Sequence, residues 1–178
     1  MTYVALLRGI NVGGKNKVPM KALIPLFVDS GCDNVRAYIQ SGNVIFTANS
    51  AVSAKIPSLV PGAIQKCFGC EVPVILRNAE QLAKVLRANP FLKRGAAESE
   101  LHVLFLADAA DPARIRNLDP DRSPPDQFEV RGQEIYLRLP NGAGRSKLTN
   151  QYFDSKLATV TTGRNWRTVN KILELMLK

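Results

Sequence analysis

The residues of this chain that come nearest to a known chemistry lie between Leu6 and Met20, in LLRGINVGGKNKVPM. Gly9, Gly14 and Lys15 satisfy G-x-x-x-x-G-K, the loop whose backbone amides wrap a phosphate while its lysine touches the anion and a following Ser or Thr holds magnesium. Here the following residue is Asn16, which brings a carbonyl oxygen and no hydroxyl. Pro19 marks a helix start four residues past Lys15, whereas the motif needs its lysine already in the first helical turn. Asp108 ends the strand-like VLFLAD as a second magnesium-binding motif would, but apolar strands ending in Asp are common. Glycines at 9, 13 and 14 also miss the G-x-G-x-x-G of dinucleotide binding. What remains is half of an anion site, built from Arg8, Asn11 and the Gly13-Gly14-Lys15 backbone. The same glycines would also serve simply to turn a corner.

Two further stretches could complete such a site. QSGN offers Gln40, Ser41 and Asn43, amides and a hydroxyl that read a ligand or make an ordinary turn. TTGRNW precedes a helical pattern, so Asn165 or a threonine such as Thr162 caps it while Arg164 and Arg167 stand at its positive end. Charge of that sign opposes the helix dipole unless an anion visits. GAGRSKL adds Arg145 and Lys147 in a glycine-rich loop, and Trp166, opening an apolar helical stripe, reads as a core anchor.

Catalytic signatures are scarce. The single histidine, His102, opens an apolar strand and suits a structural role better than general base work. There is no G-x-S-x-G, no H-E-x-x-H and no spaced carboxylate pair. Cys67 and Cys70 form a C-x-x-C at the end of a helical pattern, not at the helix start where a dipole would activate a thiol, and only Cys32 and His102 could join them on zinc. Buried or half-buried structural thiols are expected, with no metal and no cofactor.

These residues need elements to hold them. A chain of 178 residues, 46% hydrophobic, can bury one large core or two fused smaller ones. No apolar run approaches the roughly 20 residues of a membrane span, and Arg8 interrupts the opening segment too early for a secretory signal, so a cytoplasmic protein with no membrane partner is expected. The net charge of +9 is concentrated at the ends, +3 in residues 1–50 and +5 in residues 141–178, against +1 between them. If the two ends meet they make a positive surface; otherwise the charge is only solvated lysine. YVALLR, the Met20-Leu23-Ile24-Phe27 stripe, VRAYIQ, NVIFTA, a helix over 51–67 and VPVILR follow one another as βαββαβ. After a helix from Asn78 and a connector, HVLFLA, a short helix near Pro112, QFEV, EIYLRL and two helices approximate βαββα. The expected fold is α+β, two ferredoxin-like βαββα(β) halves, residues 1–88 and 99–178, each an antiparallel sheet with helices on one face. Such a sheet can carry RNA, but NVIFTA and YVALLR lack the aromatic pattern that stacks bases.

YVALLRGINVGGKNKVPM, YIQSGNVIF, SKLTNQYFDSKL and TTGRNWRTV together resemble the domain-of-unknown-function 1697 family, over nearly the whole chain. The motif positions here are Arg8, Gly9, Asn11, Gly13, Gln40, Ser41, Gly42, Asn43, Lys147, Thr162, Arg164, Asn165 and Trp166. The resemblance implies a bacterial protein of two ferredoxin-like halves and carries over no substrate, cofactor or catalytic residue. One position departs from the pattern: Ala158 stands where a helix-ending glycine is expected.

The leading expectation is a binding protein for a phosphate-bearing or other anionic ligand, nucleic acid included. Arg8, Asn11, Gly13 and Lys15 would meet the anion, Gln40, Ser41 and Asn43 would orient it, and Lys147, Thr162, Arg164 and Asn165 would close the site from the other half. An enzyme acting on a small anion in the same pocket is one rival. A protein-interaction module whose motifs only lock the fold is the other.

Overall fold

The apolar run ahead of the glycine loop becomes a buried strand. A computed structural model, which describes residues 1–178, places it at β1 (Thr2–Leu7), with Val4 to Leu7 fully buried. In α1 (Met20–Asp29), Pro19 is the extended N-cap and not the first helical residue, and Met20, Leu23 and Phe27 are buried. β2 (Asp33–Tyr38) and β3 (Asn43–Thr47) pair as the expected hairpin. The helix expected over 51–67 is instead two, α2 (Ser50–Ser53) and α3 (Ile56–Phe68). Pro57 has no amide hydrogen to donate, which suits the first turn of a new helix, where it stands in α3. β4 (Val74–Asn78) completes an antiparallel sheet of order β2-β3-β1-β4.

Asn78 starts α4 (Ala79–Ala88) through a reciprocal box: its Oδ1 accepts from Gln81 N and Gln81 Oε1 accepts from Asn78 N, each at 2.8 Å. The segment expected as a plain connector holds another short helix, α5 (Pro90–Lys93), capped by Asn89. There follow β5 (Leu101–Leu106), α6 (Pro112–Arg116), β6 (Gln127–Arg131), β7 (Glu134–Arg138) and α7 (Asn150–Leu157), capped by Thr149. β8 (Thr161–Asn165) and α8 (Trp166–Met176) end the chain. β8 arises from TTGRN, a stretch whose sequence suggests a pre-helical loop. Its only strand signal is a pair of β-branched threonines, and it is held in place by β5 on one side and by Asp154 Oδ1, which accepts from both the amide and hydroxyl of Thr161 at 2.8 Å.

The second sheet has the order β6-β7-β5-β8, the same permutation as the first and the one expected of a ferredoxin-like half. The chain divides into two compact units, Met1–Ala83 with Lys171–Lys178, and Lys84–Asn170. In the first, Phe27 of α1 and Ile64 of α3 join the core on the sheet face of Ala5, Leu7, Val44 and Phe46. In the second, Leu104, Leu106, Ile135 and Leu137 pack under Tyr152, Phe153 and Leu157 of α7. Each fully buried side chain of this size stabilises the fold by about 1.5–3 kcal/mol. No helix is long and apolar enough to cross a membrane.

The repeat reaches residue level at one place that a scan of the sequence passes over. Each sheet's last strand ends in Arg-Asn: Arg77 pairs with Val4 and Asn78 with Tyr3, as Arg164 pairs with Val103 and Asn165 with His102. Each arginine is buried and donates Nη1 to the carbonyl of its preceding residue, and each asparagine caps the helix that follows.

Ala158 terminates α7 in the left-handed region, φ 53°, ψ 42°. A Cβ there is disfavoured by about 1 kcal/mol, so Ala158→Gly is expected to stabilise the protein by that amount and raise Tm by about 3 °C, read from thermal unfolding.

Candidate functional site

Between β1 and α1 the chain forms a miniature hairpin and not a phosphate cradle. Val12 and Lys15 bridge across Gly13 (φ 58°) and Gly14 (φ 75°), Lys15 N donates to Val12 O, and Asn11 N donates to Asn16 O. α1 begins only at Met20, so no helix end faces Lys15 from its own chain segment. The hinge of the loop is Asn11, itself at φ 55°. Its Nδ2 donates to Val18 O at 2.8 Å and Gln40 O at 3.0 Å, while its Oδ1 accepts from Val18 N at 2.9 Å. Asn16, at φ 47°, donates to Gly9 O. Asparagine tolerates the left-handed conformation because its short amide bonds locally, which is why two of the loop's five left-handed positions need no glycine.

The β2–β3 turn is joined to this loop through Gln40 O. Asn43 is fully buried and donates Nδ2 to Tyr38 O at 3.1 Å and Ser41 Oγ at 3.3 Å, so it holds the turn. Gln40 is exposed and Ser41 half-buried. Ile39, a β-branched residue absent from the sequence-derived set, adopts φ 48° and is 46% exposed. Arg8 is half-buried at the root of the loop, and Lys15 and Lys17 are exposed on it.

In the second unit, Thr162 and Arg164 lie in the interior. Arg164 is 7% exposed and its Nη1 donates to Thr162 Oγ1 at 3.1 Å and to Gly163 O at 2.7 Å; burial pushes its pKa down to about 10. Asn165 caps α8 through Thr168 N at 2.8 Å, the role anticipated for it. Trp166 is 2% exposed, a core residue. Lys147 keeps an exposed ammonium, while its backbone is clamped by Ser123 Oγ and Arg122 Nε. Asn11, Asn43, Thr162, Arg164 and Asn165 therefore all commit side-chain bonds to the protein itself. Lys15, Gln40 and Lys147 are exposed, while Arg8 and Ser41 are half-buried.

The cysteines are free thiols: Cys32 is buried, Cys70 half-buried and Cys67, against expectation, exposed. Gly69 at φ 68° turns the chain out of the helix after Phe68, so Cys70 leaves the position one turn above Cys67. Desolvation, aided by Asp33, raises the Cys32 thiol to about 11, well out of reach of thiolate chemistry at neutral pH.

His102 has a buried Nδ1 with no hydrogen-bond partner, and burial lowers its pKa from 6.5 against the opposite pull of the Glu100 backbone. Such an imidazole takes up a proton on unfolding, so stability is full above 6.5, falls as pH drops through that value and levels off below the folded pKa. Thermal unfolding between about pH 7.5 and 5.5 is expected to show this decline in the native chain and a flatter profile in His102→Phe.

Comparisons with known proteins agree with the architecture. No curated protein matches the chain. Among solved structures, a conserved bacterial protein, SP0830 from Streptococcus pneumoniae, superposes with a TM-score of 0.71 at 24% identity, over 99% of this chain and 98% of that one. At that identity the likeness is one of fold. A family model described as "Protein of unknown function (DUF1697)" matches residues 1–136, which include the glycine loop, the β2–β3 turn and the Arg77-Asn78 pair. With most of its length matched and both sheets in the order this resemblance led one to expect, the chain belongs to the DUF1697 family.

Proposed function

We propose that the protein binds a phosphate-bearing or other anionic ligand, and that it does so on the paired loops of its first unit, those after β1 and between β2 and β3. The observation that carries this reading is Asn11, which ties the glycine hairpin to Val18 and to Gln40 O, so that Lys15 and Gln40 sit on loops fastened to each other. Ile39 supports it: a β-branched side chain held left-handed and in solvent costs roughly 1–3 kcal/mol and persists where a site requires its backbone. Arg8, Lys15 and Lys17 supply the charge, and Gln40 and Ser41 the polar contacts. Lys147 extends the basic character of the second unit.

The test is a thermal-shift and calorimetric titration with inorganic phosphate, nucleotides, sugar phosphates and short oligonucleotides at two salt concentrations. Stabilisation by one of these is expected, with affinity reduced about tenfold in Lys15→Ala. If only the oligonucleotide binds, and binding weakens steeply with salt, the ligand is nucleic acid. No response from any of them moves the function to a protein partner, a reading favoured by the exposed apolar side chains of Val12 and Ile39 on the same loops.

A further inference from the structure

The first unit carries a groove that none of the sequence motifs touches. In its sheet, Thr2 lies opposite Thr47, and Val4 and Arg36 both lie opposite Ile45. Directly opposed residues point to the same side, so Thr2, Val4, Thr47, Ile45 and Arg36 share the face turned away from α1 and α3. On that face a cavity of about 580 Å³ is lined by Thr2, Asn34, Arg36, Ile45 and Thr47, with Met176 and Lys178 forming a wall. Its size falls within the range of small-molecule sites.

We propose that this groove binds the phosphate ester of a sugar, either free or within a mononucleotide. The lining divides into the parts such a ligand needs. Arg36 and Lys178 supply positive charge, Thr2, Thr47 and Asn34 supply hydroxyl and amide groups for a polyol, and Ile45 with Met176 supplies an apolar floor. Arg36 Nη2 donates to Leu175 O at 2.8 Å, which steadies the guanidinium while Nε and Nη1 remain as further donors. A planar fork of this kind suits phosphate better than an ammonium does. The strand register shifts between Asp33 and Arg36, where Asn34 sits at φ 51° with its Nδ2 on Thr47 Oγ1. Bulges at sheet edges re-aim side chains in this way. The opposing charge is Glu174, whose carboxylate takes both Lys171 and Lys178. A bound phosphate competes with it for Lys178.

Calorimetric titration with ribose 5-phosphate, AMP and inorganic phosphate tests the groove. At least one ester is expected to bind, more tightly than inorganic phosphate; AMP alone identifies the nucleotide, and equal binding of both identifies the sugar phosphate. Lys178→Glu, at an exposed position with no part in the core, is expected to weaken binding about tenfold, Arg36→Ala at least as much, and Glu174→Gln to strengthen it. Lys15→Ala, on the loops of the other proposed site, is expected to leave the Lys178-dependent component of this binding unchanged. The proposal is overturned if neither ester binds, if inorganic phosphate binds as tightly as the esters, or if binding survives Lys178→Glu and is lost in Lys15→Ala.

Discussion

Gly42→Ala is expected to remove about 3 kcal/mol of stability and lower Tm by about 10 °C. Two effects add. Gly42 sits at φ 84°, where a Cβ is disfavoured by about 1–2 kcal/mol. That Cβ would also lie 2.9 Å from Ile10 Cδ1, Ile10 Cγ1 and Leu7 Cβ. Both neighbours are fully buried, so neither can swing into solvent, and the overlap must move the loop or the strand. Gly13 provides the control. It is also left-handed, at φ 58°, but a Cβ there meets nothing within 4 Å, so Gly13→Ala is expected to lose only the conformational part, about 1 kcal/mol. Urea denaturation of the two variants separates strain from overlap; equal losses would show that the packing around Gly42 is looser than described.

Arg164→Ala carries the second large effect, a loss of about 3–4 kcal/mol. The substitution empties a buried volume and removes the donor that serves Thr162 Oγ1 and the Gly163 carbonyl. Lysine is expected to rescue little of it, since an ammonium cannot reproduce the planar spread of guanidinium donors. Denaturation of Arg164→Ala and Arg164→Lys tests this, with circular dichroism confirming that the remaining population is folded. The same variants bear on function. If Arg164→Ala unfolds at lower denaturant and yet binds phosphate ligands as the native chain does, this residue serves the architecture. If the folded variant loses binding, Arg164 belongs to the binding machinery.

Much of the fold can be read from residue patterns because those patterns are local. YVALLR has the length and apolar run of a buried strand, and the Met20-Leu23-Phe27 spacing makes one helical face. The helix-ending irregularity at Ala158 shows only against the pattern that the family resemblance implies. β8 is not legible, because TTGRN becomes a strand only when β5 offers it an edge and Asp154 captures Thr161. Nor is the break at Ala54 and Lys55, just ahead of Pro57, decided by periodicity, which runs on through both α2 and α3.

The candidate site divides along the same line. Residue types alone established that the glycine loop lacks the magnesium-binding hydroxyl of a nucleotide-hydrolysing loop, that Asn165 suits a helix cap, and that the two ends of the chain are basic. Composition and spacing determine these because they depend on near neighbours. What each polar side chain faces was decided only in three dimensions. Asn43 and Arg164 look like ligand-readers in sequence and are interior residues in the fold, whereas Arg36, with no motif around it, lines a cavity. The reason is that burial of a polar group depends on which strand lies opposite and which helix covers the face. Both are set by strand order and register, contacts between residues far apart in the chain, and no short stretch of residues encodes them.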